Sequence, residues 1–395
     1  MKNVSRIIML VQFPFEPRDY ERFGIEIFKA NGFEIEVWDF SPFMNQGFFR
    51  NQHRNGIQQL PNHRIFISID EAIAGLKRLS FSCFIVSFIN YGRSAYDIYG
   101  AIFKMNLRYA MYIAGATYPL VSIISKNKNS RLSFIGSKIK SLANKEKIRG
   151  RLSDIIFRIK LRAPDYIIAG GAKNYFYSIP LGPNTKIIWA HCLDYDNYLK
   201  EKDAPSINTE NTAVFLDGDV PFHRDLTQFK EPIPHKPEDY YGPLCRFFSY
   251  IEKTKKIKVV IAGHPRAEYD LRPDFFEGRR IFKNQTARLV KECQFVIAHA
   301  SHSLSYAVLF KKPIIFITTD KLDQHAYRFF IDAMTGALGK KAININNNTL
   351  VDWDNELLVD ENIYSLYRHN HLKKEGSEEL LFWQIVANNI RDSRG

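Results

Sequence analysis

Three short groups of polar residues in the second half of the chain have side chains suited to catalysis, and each follows an apolar run that predicts a buried β-strand. The groups are Asp217-Gly218-Asp219, His264-Pro265 and Ser301-His302-Ser303. Ligands of α/β proteins bind at the carboxyl ends of parallel strands. Their common position makes the three groups candidates for one site.

The first group centres on Asp217, which follows the strand predicted over residues 212–216. A carboxylate at the end of a strand faces the ligand cleft and can take a proton from a hydroxyl group. Gly218 allows the backbone to turn sharply at this point. In the alternative interpretation, Asp217 or Asp219 only accepts hydrogen bonds from backbone amides in a turn.

The second group centres on His264, which follows the strand predicted over residues 258–262. An imidazole here can donate a hydrogen bond to a phosphate oxygen or protonate a leaving group. Gly263 allows a ligand to approach the backbone closely, and Pro265 fixes the direction of the chain as it leaves the site. The alternative is a loop histidine that binds no ligand.

The third group lies between the strand predicted over residues 295–298 and a helix predicted over residues 303–310. The hydroxyls of Ser301 and Ser303 and the free amides of the helix N-terminus can bind an anion. The alternative is that the serines only cap the helix. No GxSxG motif supports a serine hydrolase, and His299 and His302 lack the further ligands of a metal site.

The elements that must position these groups alternate between strand and helix, which is typical of α/β domains with parallel sheets. Strands are predicted at residues 7–11, 33–40, 81–88, 108–114, 165–169 and 186–189 in the first half, and at 212–216, 258–262, 295–298 and 313–318 in the second. Residues 200–212 are almost free of apolar side chains and predict a linker. Two such halves place a ligand cleft between them.

The predicted domains are an N-terminal α/β domain over residues 1–205 and a second α/β domain over residues 206–376. Residues 377–395 have apolar side chains at helical spacing and predict a C-terminal helix that packs back on the N-terminal domain.

The composition fits a folded, two-domain protein. The chain has 395 residues, of which 45% are hydrophobic and 25% charged, and this excludes a disordered chain and a disulfide-stabilised miniprotein. No apolar run reaches the ~18 residues of a membrane-spanning helix, and the N-terminus lacks the long apolar region of a signal peptide. The four cysteines form no CxxC pair, so neither a zinc site nor a disulfide framework is predicted. We therefore expect a cytoplasmic protein.

The net charge of +13 is concentrated in one stretch of the sequence. Residues 126–162 contain twelve basic and two acidic residues, a net charge of 12 − 2 = +10. A helix is predicted over residues 132–161, and the isoleucines and leucines between its charges suit a helix that lies on an anionic membrane surface. The alternative is a solvated helix that packs through one face.

The order Asp-Gly, His-Pro and Ser-x-Ser over residues 213–319 resembles the bacterial GT-B glycosyltransferases that use CMP-activated acidic sugars. These include sialyltransferases, polysialyltransferases and their relatives for other nonulosonic acids and Kdo. The sequence departs from the family pattern at Leu216, where an acidic residue is often found, and at His302, which separates the two serines. The resemblance implies two Rossmann-like domains that face a cleft.

The resemblance also implies roles for individual residues. Asp217 would be the catalytic base, and His264 would assist the departure of CMP. The residues that would bind the donor nucleotide and its phosphate are Gly263, His264, Pro265, Ser301, His302 and Ser303. The implied reaction moves an acidic sugar from its CMP donor to a hydroxyl of a surface glycan or glycoconjugate. It needs no cofactor and no obligatory metal, and it is inverting if Asp217 is the base; retaining Kdo transferases have similar folds, so the stereochemistry stays open.

The acceptor, a glycan or a lipid-linked glycan, is expected to bind the first half of the chain. His191, Asp194 and Asp196 are candidates for this contact, and a polar hinge loop is the alternative interpretation. With the basic stretch, they favour an enzyme that sits peripherally on the inner face of the cytoplasmic membrane and acts in polysaccharide biosynthesis.

Three other functions remain open from the sequence. One is a CDP-glycerol-type polyol-phosphate transferase, and another is a GT-B transferase that uses a UDP- or GDP-sugar. The third, a non-enzymatic nucleic-acid-binding protein, has the least support, because the positive charge is confined to one predicted helix and no nucleic-acid-binding motif accompanies it. We therefore expect no nucleic-acid partner.

Overall fold

The structure is a computed structural model. It describes residues 4–54, 56–58, 60–114, 163–173, 179, 181–206, 210–223, 233–347 and 351–392. The helix predicted over residues 132–161 lies outside the described residues, as does part of the predicted linker.

The chain divides into two compact units. The first unit contains the described residues up to Leu193 and those from Lys374 onwards, and the second contains Asp194–Lys373. The division comes before residue 205, where the sequence placed it, because the helix Asp194–Glu201 packs within the second unit. In that unit Tyr195 is buried, and its hydroxyl accepts a hydrogen bond from Arg368 Nη2 at 2.7 Å.

The described strands of the first unit form a seven-stranded parallel sheet in the order β3-β2-β1-β4-β5-β6-β7. Their bounds are β1 Arg6–Val11, β2 Glu34–Asp39, β3 His63–Ile65, β4 Cys83–Ser87, β5 Arg108–Tyr112, β6 Tyr166–Ala169 and β7 Lys186–Trp189. The helices of this unit are Pro17–Arg22, Ile25–Ala30, Ser41–Met44, Gln46–Gln52, Ile69–Lys77, Tyr96–Lys104 and Phe382–Asp392.

Both faces of this sheet are covered, which explains why β1 is an unbroken apolar run. Ile7, Met9 and Val11 face one core cluster, and Ile8 and Leu10 face the other. The sequence of a parallel strand is a continuous apolar run because helices bury both faces of the sheet.

The C-terminal helix Phe382–Asp392 covers one of these faces. Trp383 is buried beside Gly24, and its Nε1 donates to the Arg22 carbonyl oxygen at 2.7 Å. Gly24 has a φ of +63°, and a Cβ built on it would lie 2.4 Å from the Trp383 ring. Glycine is therefore required at this position by both the backbone conformation and the packing of Trp383.

The described strands of the second unit form a six-stranded parallel sheet in the order β10-β9-β8-β11-β12-β13. Their bounds are β8 Thr212–Leu216, β9 Lys258–Gly263, β10 Ile281–Lys283, β11 Phe295–Ala298, β12 Ile314–Thr318 and β13 Ile343–Asn344. The helices are Asp194–Glu201, Pro237–Lys255, Thr286–Glu292, Leu304–Leu309, Asp320–Gln324, Arg328–Ala337, Trp353–Glu356 and Glu361–Tyr367.

The strand order of the second unit is that of a Rossmann fold, 3-2-1-4-5-6 when its strands are counted from β8, and the first unit has the same order with one further strand. The predicted fold class of two Rossmann-like α/β domains is confirmed. In such a sheet the order reverses between the first and fourth strands, and this point forms a crevice for ligands. In the second unit the reversal falls between β8 and β11.

Among the described residues, no helix combines the length and the apolar character needed to cross a membrane. The four cysteines are buried, and none of them forms a disulfide bond.

Candidate active site

The three polar groups lie at the same edge of the second sheet. Asp217 follows β8, His264 follows β9, and Ser301 lies three residues past the end of β11. These are neighbouring strands, and β8 and β11 flank the point at which the strand order reverses. The predicted placement of the groups at one sheet edge is therefore confirmed.

Asp217 is buried and held by two hydrogen bonds. Its Oδ1 accepts from the Asp219 amide at 3.0 Å, and its Oδ2 accepts from the Tyr269 hydroxyl at 2.6 Å. Burial raises the pKa of Asp217 to about 6, although both hydrogen bonds stabilise the carboxylate and oppose this rise. Asp217 therefore remains mostly ionised at neutral pH, and it is a stronger base than a solvated aspartate.

Tyr269 connects the first two groups. Its hydroxyl donates to Asp217 and also accepts a hydrogen bond from the His264 amide at 2.8 Å. Burial and the neighbouring Asp217 raise the pKa of Tyr269, so the phenol keeps its proton and stays a donor. Sequence reasoning missed Tyr269, because a tyrosine in the loop after the His-Pro pair has no spacing that marks it.

Gly263 leaves room for the Tyr269 ring. A Cβ at this position would lie 2.8 Å from Cε2 of Tyr269 and 2.9 Å from Cγ2 of Ile281. The backbone of Gly263 is thus approached closely by the Tyr269 ring. Because residue 263 has no side chain, the Tyr269 ring can pack against its backbone. In this position the Tyr269 hydroxyl reaches Asp217.

The sharp turn after β8 is made by Asp219 and not by Gly218. Asp219 has a φ of +53°, in the left-handed region, whereas a Cβ at Gly218 would come no closer than 3.8 Å to any neighbour. Aspartate tolerates the left-handed conformation better than most residues. The buried Asp219 carboxylate binds Arg272 through two hydrogen bonds of 2.5 and 3.2 Å, and the Arg272 guanidinium lies 3.9 Å from the centre of the Phe222 ring.

His264 is half-buried, and its Nδ1 accepts a hydrogen bond from the Arg266 amide at 3.3 Å. In the neutral imidazole this contact leaves the proton on Nε2, which is then the donor nitrogen. The ring of His223 lies 6.1 Å from the His264 ring, centre to centre. His223 follows the turn Val220–Phe222 after β8, and sequence reasoning did not single it out. Pro265 is exposed.

The serine group forms a tight turn. Ser301 Oγ accepts from the Ser303 amide at 3.2 Å, and the Ser303 side chain makes no capping hydrogen bond to the helix Leu304–Leu309. This helix has only six residues, so its dipole is small. Any contact with an anion here depends on the hydroxyls and amides of the turn itself. His302 is exposed.

The three acceptor candidates belong to two different units. His191 is fully buried in the first unit, and its ring nitrogens contact the carbonyl oxygens of Cys192 and Leu380, each at 2.9 Å. These are the contacts of a residue that holds the C-terminal segment, so the structure gives His191 no surface for an acceptor. Asp194 belongs to the second unit, where its carboxylate accepts from Ser305 at 2.9 Å.

Asp196 lies in the first turn of the helix Asp194–Glu201 and is half-buried. Because this helix is part of the second unit, Asp194 and Asp196 do not lie on the N-terminal domain, where sequence reasoning placed the acceptor.

Two further histidines of the second unit, His235 and His299, are buried and neutral at pH 7. Burial lowers the pKa of His299 and of His235 to about 4. His299 Nδ1 lies 2.8 Å from the Ile317 carbonyl oxygen, to which it must donate, and its Nε2 has no hydrogen-bond partner within the described part of the chain. His235 Nε2 contacts the Thr319 hydroxyl at 2.6 Å. Within the described ranges, no three side chains of the types His, Cys, Asp and Glu are arranged to hold a metal ion.

Comparisons with known proteins relate the chain to others through its fold. No protein-family model matches the sequence, and no curated protein matches it. Solved structures similar in fold include the UDP-GlcNAc 2-epimerase of Methanocaldococcus jannaschii in complex with UDP-GlcNAc and UDP, at 11% identity and a TM-score of 0.44, with 98% of each chain covered.

Two others cover 98% of this chain and 99% of their own, each at 11% identity. They are MurG of Acinetobacter baumannii, with a TM-score of 0.45, and the spinosyn forosaminyltransferase SpnP, with a TM-score of 0.42.

Proposed function

We propose that this chain is a glycosyltransferase that moves an acidic sugar, such as sialic acid, another nonulosonic acid or Kdo, from its CMP-activated donor to a hydroxyl of a glycan or glycoconjugate. One observation carries the proposal. A buried carboxylate, Asp217, is joined through Tyr269 to the backbone of His264, at the strand ends beside the reversal point of a Rossmann-like sheet. Both residues follow strands at the edge where such sheets bind nucleotides, which supports the assignment of a base and a leaving-group donor to one site.

Asp217 supplies the base in the proposed reaction. The acceptor oxygen forms a bond to the anomeric carbon, the bond from that carbon to the phosphate oxygen breaks, and the acceptor proton passes to the Asp217 carboxylate. A pKa of about 6 suits this step, because the group is ionised at neutral pH and still holds a proton readily. Displacement in one step inverts the anomeric configuration.

His264 and the serine turn act on the leaving group. CMP departs with negative charge on its phosphate, and donors aimed at that phosphate lower the barrier. In the neutral tautomer His264 offers Nε2–H, and Ser301, Ser303 and their amides lie past the neighbouring strand end on the other side of β8. The chemistry requires no metal, because hydrogen bonds and the imidazole can stabilise the leaving phosphate.

The deciding experiment measures CMP release from a panel of CMP-activated acidic sugars, with a UDP-sugar, a GDP-sugar and CDP-glycerol as competing donors. We expect release from at least one CMP-sugar in the presence of acceptor, and loss of that release in Asp217→Asn. Transfer from CDP-glycerol alone, or from a UDP- or GDP-sugar alone, would replace the proposal by the corresponding alternative.

A binding measurement supports the activity assay. CMP should raise the melting temperature of both the wild-type protein and Asp217→Asn, because a ligand that binds only the folded state stabilises it. Stabilisation by UDP or GDP in place of CMP would contradict the choice of donor.

We propose further that the basic stretch over residues 126–162, with its net charge of 12 − 2 = +10, attracts an anionic membrane surface that carries the acceptor. Binding to vesicles should rise with the content of anionic lipid and fall as salt increases. Reversal of Lys138, Lys140, Lys145 and Lys147 to Glu should abolish sedimentation with vesicles. Unchanged sedimentation of the reversed protein would refute this part of the proposal.

A further inference from the structure

We infer that Tyr269 is a positioning residue whose hydroxyl holds the Asp217 carboxylate and the His264 backbone in one arrangement. The inference rests on the function proposed above, in which Asp217 is the base and His264 acts on the leaving group. It assigns a role to a side chain that none of the three polar groups contains.

The hydroxyl of Tyr269 is in contact with both groups at short distances. It donates to Asp217 Oδ2 at 2.6 Å and accepts from the His264 amide at 2.8 Å. A phenol can donate one hydrogen bond while it accepts another. Because the His264 amide can only donate, the proton of the phenol is directed to the carboxylate. The single hydroxyl thus joins the Asp217 carboxylate, after β8, to the His264 backbone, after β9.

The ring of Tyr269 is fixed by packing. It lies so close to Gly263 that a Cβ there would come within 2.8 Å of Cε2. The guanidinium of Arg272 lies 6.0 Å from the centre of the same ring, and Arg272 is itself bound to Asp219. The donor that faces Asp217 is therefore held on a rigid support, as a positioning group must be.

Four other residues interact electrostatically with the Asp217 carboxylate. The Asp219 amide donates a hydrogen bond to Asp217, while the Asp219 carboxylate has the same charge as Asp217 and Arg272 has the opposite charge. The negative charge of Asp217 helps to raise the pKa of Tyr240 and of Tyr241. Among these groups, Tyr269 is the one that offers a side-chain hydrogen bond to the carboxylate, and this bond lowers the pKa of Asp217. Removal of the hydroxyl should therefore raise the pH at which Asp217 loses its proton.

The test uses Tyr269→Phe, which removes the hydroxyl and keeps the ring on Gly263. Two quantities are measured, the titration of the Asp217 carboxyl by ¹³C NMR without substrate and the acid limb of the pH profile of kcat/KM. We expect both to move to higher pH by about one unit, the size of one charge-assisted hydrogen bond. We also expect a fall in kcat at neutral pH.

Two companion variants make the result specific. Tyr364→Phe removes another buried tyrosine hydroxyl of the same unit, one that donates to the Lys312 carbonyl oxygen at 2.8 Å, and it should leave the Asp217 titration in place. Replacement of Tyr269 by 3-fluorotyrosine keeps the hydroxyl and makes it a stronger donor, so it should move the titration to lower pH. This second variant also serves if Tyr269→Phe does not fold.

The outcomes separate this inference from the proposed function. An Asp217 titration that is unchanged in Tyr269→Phe, or that moves equally in Tyr364→Phe, would overturn the role of Tyr269. If the titration moves as expected but no donor supports transfer, the hydrogen bond stands and the proposed function fails.

Discussion

Arg272 binds both carboxylate oxygens of Asp219, at 2.5 and 3.2 Å, and so fixes the residue whose amide donates to Asp217. Asp219 has a left-handed backbone conformation, which costs free energy for any residue with a side chain. The ion pair offsets this cost and keeps the Asp219 amide directed at the Asp217 carboxylate. The geometry of Asp217 therefore depends on an arginine that does not touch it.

Loss of the arginine should destabilise the protein more than loss of the whole pair. Arg272→Gln leaves the buried Asp219 carboxylate without its counter-ion, and we expect the free energy of unfolding to fall by about 3 kcal/mol. The double variant Arg272→Gln/Asp219→Asn removes the uncompensated charge and should recover part of the loss. Urea unfolding of the two variants checks this. Equal stability of the two would show that the pair does not compensate a buried charge.

The activity should depend on the ionisation of Asp217. Its pKa is raised to about 6 by burial, and the base acts only when deprotonated, so kcat/KM should rise with pH through about 6 and level off above it. Asp217→Asn should keep CMP binding and lose transfer, because the amide has the same shape and cannot take a proton. An acid limb near pH 4 in the wild-type enzyme would assign the proton transfer to a different group.

His264→Ala should reduce turnover by ~10²-fold or more, the usual scale for a group that stabilises a leaving group. The half-buried side chain makes little contribution to the core, so the melting temperature should change little. His264→Gln is a useful comparison, since its amide can donate a hydrogen bond without acid chemistry. Near-normal turnover in a folded His264→Ala variant would remove His264 from the mechanism.

The two glycines of the site should respond in opposite ways to alanine. Gly263→Ala places a methyl group 2.8 Å from the Tyr269 ring, and the ring or the strand must shift, at a cost of about 1–3 kcal/mol. Gly218→Ala meets nothing closer than 3.8 Å, and φ at Gly218 is not in the left-handed region, so it should be tolerated. Thermal denaturation of both variants measures the difference. A strong destabilisation by Gly218→Ala would contradict the assignment of the turn to Asp219.

Acid should destabilise the second unit through His299. Its pKa lies near 4 in the folded protein and near 6.5 in the unfolded chain. His299 therefore binds a proton less readily in the folded protein than in the unfolded chain. Its contribution to the free energy of unfolding is fully present above about pH 6.5 and is lost as the pH falls towards 4. His299→Asn keeps a donor to the Ile317 carbonyl oxygen and does not titrate.

Between pH 7 and pH 5 the wild-type protein should lose about 2 kcal/mol more stability than His299→Asn. The raised pKa of Asp217 acts in the opposite direction, but it does so in both proteins, so the difference between them isolates His299. Identical loss of stability in the two proteins would show that His299 is not the responsible group.

The sequence was most informative about the strands and the polar residues at their carboxyl ends. The apolar runs before Asp217, His264 and Ser301 predicted β8, β9 and β11, because a strand buried on both faces leaves little choice of residue type. The order of these strands in the sheet placed the three groups at one edge, as expected.

The contacts between loops could not be predicted in the same way. Tyr269 and Arg272 reach Asp217 and Asp219 only after the loop behind β9 has folded, and no local pattern encodes that fold. His191 looked like a loop residue because its partner, the Leu380 carbonyl oxygen, is far away in the sequence. Asp194 was assigned to the wrong half for the same reason, since Ser305 and Tyr306 bind it.

The return of the chain to the first unit at Lys374 determines the order in which the two units can be completed during translation. A nascent chain that ends at residue 373 already contains the whole of the second unit, whereas the first unit still lacks Phe382, Trp383 and Ile385 from its core. The unit encoded first is thus finished last. A stop codon between residues 373 and 382 would remove the helix Phe382–Asp392 and uncover the apolar face beside Gly24, and the truncated product would be degraded.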